Sequence, residues 1–174
     1  MTKAEFESVV HEHQSMVYSI ACHFFHNDAI AEEVAQEVFL QLYEGHRKIE
    51  TGPHCIAWLR RSTVHRCIDM ARRSSFRREV QLDQLPEISV EMPETDPLLT
   101  EILQRMLASL PAKPRAVLIL RYGEDMDPEE IGKTLQMPVN TVWSHLQRGM
   151  AMIREKTTRY IQEKNNESIR TRSS

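Results

Sequence analysis

Cysteine and glycine are scarce in this sequence, and each shortage excludes a class of protein. The 174 residues include three cysteines without paired spacing, Cys22, Cys55 and Cys67. This pattern excludes a disulfide framework and is typical of reduced thiols in the cytoplasm. Only five glycines accompany a hydrophobic content of 41%, which favours a compact helical protein over a disordered one.

Long apolar runs and catalytic motifs are missing too. No run approaches the roughly 20 residues that span a bilayer, so the sequence predicts no membrane helix. The first twenty residues contain three carboxylates (Glu5, Glu7 and Glu12) and therefore do not resemble a signal peptide. No Ser/His/Asp order, Gly-rich phosphate loop or convergent carboxylate pair stands out, which makes an enzyme the least expected class.

What is present is an alternation of charge along the chain. The net charge of −3 divides into −7 over residues 1–46, +6 over 47–80, −5 over 81–105 and +3 over 106–174. Basic blocks attract the phosphate backbone of nucleic acids, and acidic blocks attract basic surfaces. The alternation therefore indicates a protein that meets nucleic acid at two places and a basic partner between them.

Residues 127–152 predict two short helices joined by a tight connection. Asp127 suits an N-cap, Pro128 suits the first helical position, and Glu130 can reach back to the cap. Pro138 ends this helix and begins the next one. The second helix is expected to bury Val142, Leu146, Met150 and Ile153, with Gly149 on the same side allowing close backbone approach.

The other side of that second helix carries side chains suited to a DNA major groove. They are short hydrogen-bonding groups and one arginine, namely Asn140, Ser144, Gln147 and Arg148, flanked by Thr141 and Trp143. Such groups read base edges and phosphates. An ordinary helical hairpin in an all-α domain is the alternative interpretation.

Two helices are predicted at the start of the chain, over residues 3–25 and 29–43, with a break and cap at Asn27 and Asp28. The second helix has an apolar stripe and an opposite acidic face, on which Leu40 points outward among carboxylates. This leucine is either a harmless exposed residue or the anchor of a docking site for a basic partner.

A basic helix is predicted over residues 55–73, after the polar loop that holds His46, Arg47 and Lys48. Its outer face carries Trp58 among cations, an arrangement that fits a ring stacked on an unpaired base. The alternative is a half-buried Trp58 at a domain edge. Residues 75–97 lack periodicity and contain three prolines and scattered carboxylates, which predicts an extended linker.

Three stretches together resemble one protein family, the extracytoplasmic-function (ECF) sigma factors of the sigma-70 family of bacterial RNA polymerase. AEEVAQEVFLQLYE at residues 31–44 is similar to the family's core-polymerase-binding helix, and WLRRSTVHRCIDMARR at 58–73 resembles its promoter-melting helix. Residues 110–154 are similar to its domain that reads the −35 element. Matches in both halves of the chain, in the family's order, are far more specific than a match in either half alone.

The resemblance implies an all-α fold of two small helical domains joined by an extended acidic linker. Sigma region 2 would occupy residues 1–78, the linker 79–97, and the helix-turn-helix of sigma region 4 residues 98–160. The polar residues 161–174 are expected to be disordered. Members of this family have no catalytic centre or cofactor, and no small-molecule substrate is expected.

The resemblance also implies three binding surfaces. Core-polymerase binding would fall to Glu33, Gln36, Glu37 and Leu40. The −10 DNA would be held by His46, Arg47, Lys48, Trp58, Arg61, His65, Arg72 and Arg73. The −35 DNA would be contacted by Arg115, Arg121, Asn140, Thr141, Trp143, Ser144, Gln147 and Arg148. The implied partners are core RNA polymerase, promoter DNA and an anti-sigma factor, which in this family is often membrane-anchored.

Departures from the family pattern limit what the resemblance implies about promoter sequence. His65 stands where many members have asparagine, and Asn140 and Trp143 replace the usual glycine and lysine. Promoter preferences therefore do not carry over from relatives.

Two other classes fit parts of the sequence. A stand-alone helix-turn-helix regulator explains residues 127–152, but it explains neither the acidic face nor the basic helix with Trp58. A metal sensor would use Cys22 and His26, which lie one helical turn apart, although their spacing matches no recognised zinc pattern.

Overall fold

The computed structural model describes residues 2–45, 52–78 and 97–172, and every regular element within these ranges is an α-helix. The helices are α1 (Lys3–Phe25), α2 (Asp28–Gly45), α3 (Pro53–Arg78), α4 (Pro97–Ala108), α5 (Ala112–Tyr122), α6 (Pro128–Leu135) and α7 (Val139–Arg172). This confirms the predicted all-α fold. No helix in these ranges is long and apolar enough to cross a membrane.

Helices α1 to α3 form the first bundle, in which α1 packs on both α2 and α3. The predicted break between α1 and α2 is confirmed. His26 adopts the left-handed conformation (φ 50°), and the side-chain oxygen of Asn27 accepts a hydrogen bond from the N–H of Ile30 at 3.0 Å. This side chain satisfies one of the backbone donors that the first turn of α2 would otherwise leave open.

Helix α3 differs from the prediction at its end. It continues to Arg78, so residues 75–78 are helical rather than part of a linker. Its buried side includes Val64 and Ile68. Residues 79–96 lie outside the described ranges, so the linker and the domain boundaries stay predictions.

Helices α4 to α7 form the second bundle, and its helix-turn-helix begins as predicted. The backbone N–H of Glu130 donates to Asp127 Oδ1 at 2.8 Å, and the N–H of Asp127 donates to Glu130 Oε2 at 2.9 Å. This reciprocal pair confirms the predicted capping box. Helix α6 ends at Leu135, and the left-handed backbone of the next residue, Gln136 (φ 53°), turns the chain toward α7.

The buried side of α7 follows the prediction at Val142 and Leu146 but not at Met150. Met150 was expected in the core, yet 40% of it is exposed. Gly149 is buried instead, and a Cβ built on it would lie 2.8 Å from Leu118 Cδ1 of α5. The close backbone approach at Gly149 is therefore confirmed. Because neighbouring positions on a helix differ by about 100°, contact through Gly149 turns Met150 toward solvent.

The far end of α7 also departs from the prediction. The sequence predicted disorder after Tyr160, but the helix continues to Arg172. No glycine or proline follows Gly149 in the sequence, so nothing in the chain interrupts the helix locally.

The two bundles pack against each other. Helix α1 contacts α4 and α5, and α3 contacts α5 and α6. Across this boundary Arg60 Nε lies 3.2 Å from Glu124 Oε2, and Arg115 Nη1 donates to the carbonyl oxygen of Phe24 at 3.0 Å. These contacts join residues far apart in the sequence.

Candidate functional site

The first candidate surface, the α2 face, consists of Glu33, Gln36, Glu37 and Leu40. Glu33, Gln36 and Leu40 are exposed, and the exposed fraction of Leu40 is 56%. Sequence reasoning missed Tyr43, which follows Leu40 by three positions and is 52% exposed. Its ring packs edge-on against that of Phe6, with 5.2 Å between the ring centroids. The three-residue spacing between Leu40 and Tyr43 could have predicted this, because side chains three positions apart lie on the same face of a helix.

Glu37 is held differently from the other three residues of the α2 face. The Arg66 guanidinium of α3 contacts both oxygens of its carboxylate, donating from Nη2 to Oε1 at 2.7 Å and pairing through Nε with Oε2. A bidentate ion pair of this kind fixes the orientation of both side chains. Glu37 therefore connects α2 with α3 through this pair, and its contact with the polymerase stays a prediction.

The second candidate surface, the α3 face, consists of Trp58, Arg61, His65, Arg72 and Arg73. Only Arg72 and Arg73 are exposed. Trp58 is partly buried and packs against the hydrophobic core, as the half-buried alternative predicted. His65 is also partly buried, and in the described part of the chain its Nε2 has no hydrogen-bond partner. The loop residues predicted to join this face, His46, Arg47 and Lys48, lie outside the described ranges.

The third candidate surface, the α7 face, consists of Asn140, Thr141, Trp143, Ser144, Gln147 and Arg148. All are exposed except Thr141, which is partly buried, and half of the Trp143 surface is accessible (50%). The hydroxyl of Ser144 donates to the carbonyl oxygen of Asn140 at 2.9 Å, so its oxygen is left to accept a bond from a ligand. The predicted residues therefore share one outward side of the helix.

His145 was not predicted and lies beside this face. It is partly buried, and burial is the main cause that lowers its pKa. The neighbouring cations Arg148 and Lys113 lower the pKa further. An uncharged imidazole is thus favoured next to the exposed arginine.

Arg115 was predicted to contact DNA phosphate, and in the structure its side chain is engaged within the protein. Its Nε donates to the carbonyl oxygen of Leu110 at 3.1 Å, and its guanidinium lies over the ring of Phe24, 4.6 Å from the centroid. Cation–π stacking and carbonyl bonds together fix this side chain between the two bundles. Phe24 lies 91 positions before Arg115 in the sequence, so no helical periodicity could have predicted this contact.

Arg121 was also predicted to contact phosphate and is engaged within its own bundle. Its Nη1 donates to the carbonyl oxygen of Met126 at 3.1 Å and lies 4.0 Å from Asp125 Oδ1. Both contacts support the turn between α5 and α6. The structure therefore brings the six residues of the α7 face together but leaves these two arginines out.

The cysteines and histidines of the first bundle give no metal-ligand constellation in the described residues, where no group of three or more potential ligands occurs. Asp28 accepts hydrogen bonds from the Tyr18 hydroxyl at 2.9 Å and from the Cys22 thiol at 3.6 Å. Burial raises the pKa of the Cys67 thiol to about 12. Such a thiol is unreactive as a nucleophile at neutral pH.

Comparison with known families gives two matches. The family "Sigma-70 region 2" matches residues 9–77, which hold the α3 face and the α2 face. The family "Sigma-70, region 4" matches residues 100–153, which hold the α7 face.

Individual proteins with similar sequences carry related names. The chain is 31% identical over 166 residues to the ECF RNA polymerase sigma factor SigE of Mycolicibacterium smegmatis, covering 90% of this chain and 63% of that protein. It is 26% identical over 167 residues to the ECF RNA polymerase sigma factor SigW of Bacillus subtilis, covering 86% and 87%. The chain thus spans less than two thirds of SigE and most of SigW.

A solved structure has a similar fold. It is the sigma factor RpoE of Bartonella quintana, in a complex with the anti-sigma factor NepR. The TM-score is 0.70 at 15% identity, over 88% of this chain and 96% of that one.

Proposed function

The chain belongs to the sigma-70 family, in its extracytoplasmic-function class, and from this premise we propose that it binds core RNA polymerase and directs initiation at specific promoters. In this role it is an initiation factor and not an enzyme. The observation that carries the proposal is the presence, in one chain and in the family's order, of the largely exposed α2 face and the largely exposed α7 face.

The α2 face supports docking on the polymerase. Leu40 is more than half exposed between acidic and amide side chains, with exposed Tyr43 one turn away. An apolar anchor surrounded by polar groups is the usual composition of a protein-binding patch. Glu33 and Gln36 would contact the basic polymerase surface, while Glu37 stays paired with Arg66.

The α3 face and the α7 face support promoter contacts. Exposed Arg72 and Arg73, together with Arg61, His65 and the loop cations His46, Arg47 and Lys48, would follow the backbone of the opened −10 strand. Trp58 would stack on a base once its edge is uncovered. Asn140, Trp143, Ser144, Gln147 and Arg148, with Thr141 at the flank, would enter the −35 major groove.

The proposal places the protein in the cytoplasm, where bacterial RNA polymerase works. It also includes control by an anti-sigma factor, on the basis of the structural neighbour that is bound to one. Co-purification from cells with and without an inducing stress would reveal such a partner. Recovery of the chain with polymerase alone under every condition would argue against this part of the proposal.

The docking role is tested by Leu40→Glu. A buried carboxylate at the centre of the interface should weaken binding to core polymerase at least about tenfold, because a desolvated charge without a partner is costly. Gln41→Glu is the matched control, since Gln41 is exposed on α2 outside the α2 face. Affinity is measured by fluorescence anisotropy of labelled protein, and circular dichroism verifies that both variants remain helical. Wild-type affinity of Leu40→Glu would remove the docking assignment.

A further inference from the structure

Trp143 is a large apolar side chain on a face that is otherwise polar. Half of it is accessible to solvent (50%), whereas Trp58, the other tryptophan of the chain, is partly buried against the hydrophobic core. Within the described part of the chain, Trp143 has no hydrogen bond, ring contact or cation–π partner. Tryptophan is enriched at binding surfaces, where its ring supplies a large contact area. The ring of Trp143 is therefore available to a ligand.

The packing of α7 holds this ring on the outside of the second bundle. Val142, which precedes Trp143, and Leu146, which follows it by three positions, are 0% and 6% exposed. Because these two side chains are fixed in the core, the helix keeps one rotation about its axis. Asn140 and Gln147 lie three positions before and four positions after Trp143, and both are exposed, so they share its side of the helix. The ring therefore meets a ligand together with two amide side chains.

The chemistry of these side chains indicates which base they recognise. An indole carries no charge and has one N–H donor, so it does not neutralise a phosphate. In the major groove the base edges present donors and acceptors, and their apolar group is the C5-methyl of thymine, which apolar side chains contact. Amides such as Asn140 and Gln147 suit the edge of adenine. A face that combines Trp143 with two amides is thus suited to A·T pairs.

We propose that Trp143 determines promoter specificity through contact between its exposed ring and the C5-methyl group of a thymine in the −35 major groove. This inference rests on the proposed function and deepens it, because it names the base that this side chain reads. Covering one methyl group should favour thymine over uracil by about threefold to fivefold at a single position of the element.

Selection of bound DNA tests the contact. The probe is a promoter fragment found by run-off transcription, with its −35 element randomised, and it is bound by core polymerase together with the full-length chain. Sequencing of the fragments bound by the wild type should show thymine enriched at one position. Trp143→Ala should lose that enrichment and keep the preferences at other positions, whereas Trp143→Phe, which retains a ring, should keep most of it. Circular dichroism verifies that both variants remain helical.

Deoxyuridine isolates the methyl group, because it pairs as thymidine does but lacks the methyl. Replacing the selected thymine with deoxyuridine should weaken wild-type binding about threefold to fivefold and leave the binding of Trp143→Ala unchanged. Ile161→Ala is the matched control, since Ile161 is an exposed apolar residue of α7 (52%) outside the α7 face. This variant should keep both the thymine enrichment and the deoxyuridine effect.

Thymine enrichment that persists in Trp143→Ala would overturn the inference, and so would equal wild-type affinity for the thymine and deoxyuridine fragments. A loss of affinity in Trp143→Ala that is the same for every sequence would also overturn it, since the ring would then contact the sugar–phosphate backbone. These results leave the proposed function standing. If polymerase and the wild-type chain together initiate at no promoter, the proposed function fails and this inference fails with it.

Discussion

Gly149 is the single residue whose size most constrains the second bundle. A Cβ there would lie 2.8 Å from Cδ1 and 3.2 Å from Cγ of Leu118, which is 3% exposed. Sequence reasoning predicted a close approach at this glycine but not the partner. The partner depends on how α5 and α7 pack, and helix periodicity carries no information about that packing.

Gly149→Ala should destabilise the protein by about 1 kcal/mol. Overpacking a filled core costs about 1–3 kcal/mol, and the better helix propensity of alanine returns up to about 1 kcal/mol. Urea denaturation measures the difference. A double variant that adds Leu118→Ala should show a non-additive effect, since the smaller side chain makes room for the new methyl group. An unchanged or higher stability of Gly149→Ala would contradict the close contact.

His145 should make the second bundle sensitive to acid. Its pKa is lowered in the folded protein by burial first and then by Arg148 and Lys113, so the unfolded chain binds a proton more readily. The stability from the neutral ring is complete above the unfolded pKa of about 6.5 and is lost as the pH falls below it. Urea midpoints between pH 7.5 and 5 should therefore decline less steeply in His145→Gln. Identical pH profiles of variant and wild type would contradict this role.

At the scale of helices, local signals in the sequence predicted most boundaries. The cap at Asp127, the break at Asn27 and the turn before Pro138 all depend on residues within four positions of one another, which is why they could be predicted. The pairs Glu37–Arg66 and Arg60–Glu124 join residues 29 and 64 positions apart. Local signals could not predict them. The same limit explains why Arg115, whose partner Phe24 lies 91 positions away, looked like a free cation in the sequence.

One side of α7 is buried in the second bundle and the other is exposed to solvent. Arg148 lies on the exposed side. If it reads a base, Arg148→Ala should weaken binding to a −35 duplex by about 1–3 kcal/mol, and much less to a scrambled duplex. Anisotropy titrations with both duplexes measure this. Arg159→Ala, which removes an exposed cation farther along α7, is the control. Equal losses on both duplexes would instead identify Arg148 as a phosphate contact.

At the scale of the whole molecule, the sequence predicted two helical units and their surfaces but not how the units lie together. Alternating charge blocks predicted where partners would bind. They could not show that α3 packs against α5 and α6, or that Trp58 and His65 are partly buried. Relative placement depends on a few side chains at the boundary, and any of them could equally have faced solvent.

The most direct test of the central claim is run-off transcription with purified core RNA polymerase on a library of genomic fragments. The proposed function predicts discrete new start sites that require both the polymerase and this chain, and that disappear with Leu40→Glu but persist with Gln41→Glu. No initiation above that of core polymerase alone, together with a stable dimer that shifts duplex DNA by itself, would contradict the account and favour a stand-alone helix-turn-helix regulator.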